Sequence, residues 1–249
     1  MQNLFQHSID LILAHQAPSG AYIASPNFPT YAYSWFRDGS FIAHAMDRVG
    51  QHASAARFHR WAAGVLARYT PKIEALIAQH GRGETITLEQ QMHTRFTLDG
   101  MESSADWTNF QLDGYGTWLW ALDDHLRRTG DTALYAEVRP QIELLARYLA
   151  AFWQTPCYDC WEEFGDKVHT ATLAALYGGL HAIGEYDPSL NVSGLAAEIH
   201  AFVLSNCVED GHLIKFIGNA AVDANLLGAA TPYRLLPADD PRIAATIAK

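Results

Sequence analysis

The chain has 249 residues, a length that fits one large domain or two small ones. Apolar residues make up 49% of it and charged residues 18%, proportions that exclude a disordered chain. Acidic residues outnumber basic ones by 27 to 17, and the resulting net charge of −10 repels nucleic acids and anionic lipids. We therefore expect a globular protein with no nucleic-acid or membrane partner.

The N-terminal segment and the cysteines indicate a cytoplasmic protein. The longest apolar stretch near the N-terminus, 9–14, is interrupted by Asp10, so neither a secretion signal nor a membrane span is expected. Three cysteines are unsuited to a disulfide framework and fit a reducing compartment. Cys157 and Cys160 have the spacing of a zinc or redox pair, but no second cysteine pair completes a tetrahedron, so no metal is expected.

Apolar residues recur at helical spacing along most of the chain and predict an all-α protein. The predicted helices cover 4–13, 41–49, 55–79, 115–126, 134–152, 170–183 and 190–203, followed by one that opens near Asp223 and one that opens at Asp240. No alternation of apolar and polar residues is long enough to build a sheet.

Prolines and capping residues refine these helices. We expect the third helix to break at Pro71 and the fifth to break at Pro140, because proline lacks the backbone N–H that a helix interior needs. Gly50 closes the second helix and Thr170 is the expected N-cap of the sixth. Pro241 falls in the first turn of the ninth helix, where proline is favoured.

The connections between predicted helices alternate between tight turns and long loops. The long loops follow the first, third, fifth and seventh helices, at about 17–38, 81–112, 154–169 and 207–221. Successive helices joined by short turns run antiparallel, so these loops should emerge at one end of the helical layer. Binding and catalytic residues are usually carried by such loops, and we expect the functional site at that end.

The first two long loops carry residues suited to a sugar ring. Trp35 can pack on the C–H face of a sugar, while Arg37 and Asp38 can hold neighbouring hydroxyls. The second loop holds Trp107 and Asp113. For each aspartate, an equally weighted alternative is that it only caps the following helix.

The third long loop places Glu162 and Glu163 between Trp161 and Phe164. Partial desolvation and a like-charge neighbour each raise the pKa of a carboxyl, and acid catalysis at neutral pH needs such a group. Adjacent glutamates are also common on solvated surfaces, so the pair alone decides nothing. Loops rich in Trp, Asp, Glu and Arg at one end together favour a polyhydroxylated ligand.

Four short segments resemble, in order and spacing, the motifs of glycoside hydrolase family 15, the glucoamylase-like enzymes. They are Trp-x-Arg-Asp at 35–38, Gln-x-Asp-x-Tyr-Gly at 111–116, Asp-x-Trp-Glu-Glu at 159–163 and Asp-Asp-Pro-Arg at 239–242. The resemblance extends from about Gly20 to the last residue, and the segment 159–163 is its most specific part. It implies an (α/α) barrel of six helical hairpins with the active site at one end.

The resemblance also implies roles for individual residues. Glu162 corresponds to the general acid of an inverting reaction that releases glucose from the non-reducing end of an α-glucan or an α-linked disaccharide. Arg37 and Asp38 would bind the terminal glucosyl unit, and Glu163 would help to bind the sugar. The remaining substrate-binding candidates are Trp35, Trp107, Asp113, Asp159 and Trp161. No metal or organic cofactor is implied.

One departure from the family pattern concerns the general base. The family places this glutamate after the eleventh of twelve helices, whereas about eight or nine helices are predicted here, and twelve would need well over 300 residues. We therefore expect a single, incomplete catalytic domain over 1–249, with the base beyond Lys249 and the chain inactive alone. Two alternatives are a sugar-sensing module of the phosphorylase-kinase-subunit type and a sugar epimerase or unsaturated-uronide hydrolase on a similar barrel.

Overall fold

A computed structural model describes residues 3–103 and 106–249. The α-helices in these two ranges are α1 (Leu4–His15), α2 (Phe36–Arg48), α3 (His52–Arg68), α4 (Thr70–Gly81), α5 (Asp113–Thr129), α6 (Thr132–Phe152), α7 (Thr170–Tyr186), α8 (Ser193–Asn206) and α9 (Pro241–Ala248). None of the described helices combines the length and hydropathy needed to cross a bilayer.

The described strands are short and form two antiparallel pairs. They are β1 (Ser34–Trp35), β2 (Arg95–Phe96), β3 (Val208–Glu209) and β4 (His212–Leu213). In the first pair Trp35 lies opposite Arg95, and in the second Val208 lies opposite Leu213. Each pair joins two loop segments, and the described strands form no larger sheet. The all-α prediction is therefore confirmed.

The helices form two layers. In one layer α5 lies between α2 and α7. In the other layer α6 packs against α3 and α4. The layers meet where α3 packs on α2 and α5, and where α8 packs on α7. Their shared core is rich in aromatic side chains: Phe36 of α2 lies 5.8 Å from Trp61 of α3, and Tyr115 of α5 lies 6.1 Å from Tyr148 of α6, measured between ring centroids. Burial of these rings is the main force that holds the layers together.

One of the two predicted proline breaks is confirmed and the other is wrong. The chain breaks next to Pro71, since α3 ends at Arg68 and a new helix, α4, begins at Thr70 with Pro71 in its first turn. Pro140 instead lies inside the continuous helix α6. Pro140 and Ala136, whose carbonyl loses its helical partner, are both exposed, so water can replace the missing hydrogen bond.

Two helices begin earlier than the apolar pattern indicates, and this changes the reading of two aspartates. The N-cap of α2 is Trp35, so Asp38 lies within the first turn rather than at the cap. The N-cap of α5 is Leu112, and Asp113 is the first helical residue. The capping alternative is therefore wrong for both aspartates. Both carboxylates lie at helix N-termini, where the helix dipole favours negative charge.

Three further helix boundaries differ from the predictions, and one agrees. Thr170 is the first residue of α7 rather than its N-cap, and α8 begins three residues after Leu190. The helix expected near Asp223 is a short 3-10 helix, Ala224–Ala229, with Asp223 as its cap. The helix predicted at Asp240 is confirmed as α9, at whose start the Asp240 carboxylate accepts the backbone N–H of Arg242.

Two glycines allow α5 and α7 to approach each other closely. A Cβ atom on Gly116 would lie 2.3 Å from the backbone oxygen of Ala175, and one on Gly179 would lie 2.1 Å from the backbone oxygen of Gly116. Both distances are far below van der Waals contact, and backbone atoms cannot rotate away. The contact between the two helices therefore requires glycine at both positions.

Replacement of Gly116 by alanine is expected to push α5 and α7 apart. We expect Gly116→Ala to lower the free energy of unfolding by about 2 kcal/mol or more, the scale of overpacked cores. Gly64→Ala is the matched control, because Gly64 is an exposed helical glycine of α3 with no atom within 4 Å of a new Cβ. This control should gain about 0.5–1 kcal/mol from helix propensity. Urea denaturation measures both, and a neutral Gly116→Ala would contradict the close contact.

Candidate active site

The long connections of the structure lie after α1, α4, α6 and α8, whereas those after α2, α5 and α7 are short. Three of the long connections meet at the side chain of Glu162. Trp35 comes from the first, Trp107 and Gln111 from the second, and Glu162 itself from the third. The segments selected from the sequence thus lie at one end of the helical layers.

The Glu162 carboxyl accepts three hydrogen bonds on a single oxygen. Its Oε1 lies 2.7 Å from the indole Nε1 of Trp107, 3.2 Å from Nε2 of Gln111 and 3.3 Å from the indole Nε1 of Trp35. Within the described residues, Oε2 has no such bond to protein. Three fixed donors hold the carboxyl in one orientation and leave Oε2 as the oxygen available to a ligand.

Asp159 folds the loop that presents Glu162. Its Oδ1 accepts the backbone N–H groups of Trp161 and Glu163, each at 2.9 Å, and its backbone oxygen accepts the N–H of Glu162 at 2.9 Å. These bonds support Glu162 in a left-handed backbone conformation, φ 66°, which non-glycine residues rarely adopt. Asp159 is fully buried beneath the loop. The structure therefore places its side chain where it holds the loop, and not in direct contact with substrate as predicted.

Arg37 connects the first turns of α2 and α5. Its Nη1 donates to Gln111 Oε1 at 2.8 Å and to Asp113 Oδ2 at 3.0 Å, and its Nε lies 3.5 Å from Asp38 Oδ2. Burial opposes the charge on Arg37, but Asp113 and Asp38 outweigh it and raise the pKa of the guanidinium. Burial also raises the pKa of Asp38, against the opposing effect of Arg37. Gln111 therefore joins the charged cluster to Glu162.

A cavity of about 230 Å³ opens beside these groups. Its walls are Ala24, Tyr31, Trp35, Arg37, Asp38, Cys160, Trp161 and Glu162. A second cavity of about 340 Å³ shares Arg37 and Cys160 with it and extends along α7. Asp113 lines the second cavity, and its Oδ1 has no hydrogen-bond partner among the described residues.

Trp161 and Phe164 do not bury the glutamate pair as expected. Trp161 is 56% exposed and Phe164 is 47% exposed, because their loop lies at the surface. The indoles of Trp35 and Trp107, from other loops, cover Glu162 instead. The contacts of the Glu162 carboxyl thus come from residues distant in sequence, and Trp161 forms an outer wall of the cavity.

Similarity to known proteins identifies the family of this chain. The family model described as "Glycosyl hydrolases family 15" matches residues 1–249. The chain belongs to glycoside hydrolase family 15. It is 42% identical to an isomaltose glucohydrolase of Kribbella flavida over 248 residues, which cover 96% of this chain and 64% of that protein. It is 29% identical to a trehalase of Mycolicibacterium smegmatis, over 93% of this chain and 38% of that protein.

Solved structures show the same fold. A structure titled as a wild-type glycosidase matches with a TM-score of 0.92 and 43% identity, over 98% of this chain and 67% of that chain. A glucoamylase from Saccharomycopsis fibuligera matches with a TM-score of 0.63 at 15% identity, over 86% of this chain and 51% of that one. The fold of the family 15 chain is therefore the helical fold of the glucoamylase type. The comparisons do not favour the regulatory-module alternative.

The second glutamate of the family 15 motif faces away from the first. Lys215 Nζ lies 2.8 Å from Glu163 Oε2 and 3.1 Å from Asp223 Oδ2, and Asp223 accepts the indole N–H of Trp161 at 2.9 Å. Burial opposes the charge on Lys215, but Glu163 and Asp223 outweigh it and raise the pKa of the amine. Glu162 thus lines the cavity, whereas Glu163 belongs to a separate charged cluster with Lys215 and Asp223.

Two residues of the site were missed in the sequence analysis. Gln111 begins the motif at 111–116 but was assigned no role. It lies between Arg37 and Glu162, both of which were assigned roles. Arg95 lies opposite Trp35 in the β1–β2 pair, and its guanidinium stacks 4.4 Å from the ring centroids of both Tyr33 and Trp107. A single arginine on a two-residue strand carries no pattern that could have revealed it.

Lys215 neutralises three carboxylates, one of which is the fully buried Asp159 at 3.8 Å. We expect Lys215→Met to lower the free energy of unfolding by about 1–2 kcal/mol, because it leaves buried negative charge without a partner. The matched control is Lys167→Met, since within the described residues Lys167 makes its ion pair with the exposed Asp166. It should leave stability unchanged. Equal effects of the two substitutions on the free energy of unfolding, measured by chemical denaturation, would contradict this role of Lys215.

Proposed function

We propose that this family 15 protein hydrolyses an α-glucosidic bond and releases glucose from the non-reducing end, with inversion and with Glu162 as the general acid. The observation that carries the proposal is the fixed Glu162 carboxyl at the wall of the cavity, with its three donors on Oε1. A general acid must present its proton in a defined direction to the leaving oxygen. Donors on one oxygen place that proton on the other, Oε2.

Recognition of the terminal glucosyl unit is assigned to the charged wall of the same cavity. Arg37 supplies N–H donors and Asp38 supplies acceptors for vicinal hydroxyls, a pairing that fixes both position and orientation. Trp35 and Trp161 offer aromatic surface to the C–H faces of the ring. Trp107 and Gln111 act through Glu162, whose orientation they hold. Arg95 supports both indoles from behind.

An inverting reaction needs a second carboxylate about 6.5–9.5 Å from the acid, to activate water on the opposite face of the sugar. The family resemblance assigns this base to a glutamate after the eleventh helix. That assignment stays a prediction, because the chain spans 64% of the isomaltose glucohydrolase it resembles. Activity is therefore to be measured on the intact protein.

The substrate that we propose first is an α-1,6-linked disaccharide. The relative at 42% identity is named for isomaltose, whereas the trehalase from Mycolicibacterium smegmatis is 29% identical. Trehalose and maltose are the competing substrates in the test. Comparison of kcat/KM for the three disaccharides decides among them.

Glu162→Gln is the direct test of the acid. Glutamine keeps the shape and hydrogen bonding of the side chain but cannot give a proton to the glycosidic oxygen, so kcat for isomaltose should fall at least ~10²-fold. α-Glucosyl fluoride needs no proton for its leaving group and should lose much less activity. Steady-state kinetics with both substrates measure the difference.

Glu163→Gln is the matched control, because it changes the neighbouring carboxyl in the same loop. Glu163 does not line the cavity, but it binds Lys215, which also pairs with Asp223, the acceptor of the Trp161 indole at the cavity wall. Its loss loosens this wall, so we expect a raised KM and a kcat for isomaltose within about tenfold of the wild type. If Glu163→Gln instead abolished isomaltose hydrolysis while sparing the fluoride, the acid would be Glu163 and the assignment would be wrong.

A further inference from the structure

A cluster of ionisable side chains is buried between the two helical layers, away from the cavity. Asp47 comes from α2, His59 from α3 and His125 from α5. One ligand atom from each of the three lies within 4.8 Å of the others. His125 Nδ1 lies 2.9 Å from both carboxylate oxygens of Asp47, and the ring centroids of His59 and His125 are 5.1 Å apart.

The histidines of this cluster have nitrogens without partners. Both ring nitrogens of His59 and the Nε2 of His125 lack a hydrogen bond within the part of the chain that the structure describes. The two residues are 0% and 1% exposed, respectively. Buried polar atoms are nearly always paired with protein, water or an ion, so three unpaired nitrogens in one place indicate a bound species.

The charges of the cluster indicate which species this is. The Asp47 carboxylate is fully buried, and the described ion pairs that it makes are to His52 and His125, with no lysine or arginine among them. A fully buried carboxylate whose partners are histidines alone is a group that a bound cation can satisfy. A divalent cation bound to the carboxylate would also take one ring nitrogen from each of the two histidines.

We propose that Asp47, His59 and His125 bind one zinc ion that joins α2, α3 and α5. Two histidines and one carboxylate are ligands that zinc favours, and three protein ligands leave a fourth position for water. His52, whose side chain is 46% exposed and whose Nδ1 lies 2.8 Å from Asp47, stands on the solvent side of the cluster and marks the entry route.

The proposed ion has a structural role and no part in the glycosidase chemistry. Asp47 lies nine residues after Asp38 on α2, and His125 lies twelve residues after Asp113 on α5. At 1.5 Å per residue the cluster is roughly 13–18 Å from the first turns that face the cavity. The expectation of no metal rested on the cysteine pair and on the family resemblance, and these three residues are too far apart in sequence to form a motif.

The test begins with zinc alone and the intact protein. After removal of metal with a chelator and dialysis, the protein is incubated with Zn²⁺ and dialysed again, and zinc is counted by mass spectrometry. We expect one zinc per chain and a melting temperature that rises with zinc. His59→Gln should lower zinc affinity at least about tenfold, as loss of a metal contact does. His7→Gln, on the exposed surface of α1, is the matched control and should change nothing.

A second measurement needs no variant and so covers the case in which His59→Gln fails to fold. X-ray absorption on the zinc-loaded wild type should show only nitrogen and oxygen ligands at about 2.0–2.2 Å, two of them imidazoles. Cobalt substitution should give a tetrahedral spectrum without a thiolate charge-transfer band. Sulfur among the ligands, no zinc retained after dialysis, or equal retention by a folded His59→Gln would each overturn the proposal.

Discussion

The hydrogen bonds from Trp35, Trp107 and Gln111 to one oxygen of Glu162 are the interactions on which the candidate site depends. They join three loops that are far apart in sequence. They also divide the carboxyl into a fixed oxygen and a free one, which is what directional proton donation requires. Through Gln111, the same bonds connect Glu162 to Arg37, so the proposed acid and the proposed sugar-binding charges are held as one unit.

The helical scaffold makes these bonds possible. Short turns on one side and long loops on the other bring the starts of α2 and α5 to one end, with Arg37 in the first turn of α2 and Asp113 at the first position of α5. The close glycine contact between α5 and α7 sets the spacing of this layer. The strained backbone at Glu162 is supported from below by the buried Asp159.

Much of the fold and part of the site could be predicted from the sequence, because both rest on local patterns. Helical periodicity located the helices, and loop length located the end of the layers that holds the candidate site. Contacts between distant segments could not be predicted. Pro140 is tolerated because it is exposed, and Arg95 acts only through rings from other loops. Trp161, the sequence neighbour of Glu162, was expected to pack against the Glu162 carboxyl, but Trp161 is exposed. The indoles of Trp35 and Trp107 contact this carboxyl instead.

The most direct measurement of the central claim is a crystal structure of the intact protein carrying Glu162→Gln, with isomaltose bound. The account predicts the terminal glucosyl unit between Trp35 and Trp161, its hydroxyls on Arg37 and Asp38, and the glycosidic oxygen about 2.6–3.2 Å from the free terminal atom of residue 162. A disaccharide whose glycosidic oxygen lay against Glu163, or a glucosyl unit bound wholly within the larger cavity along α7, would contradict it.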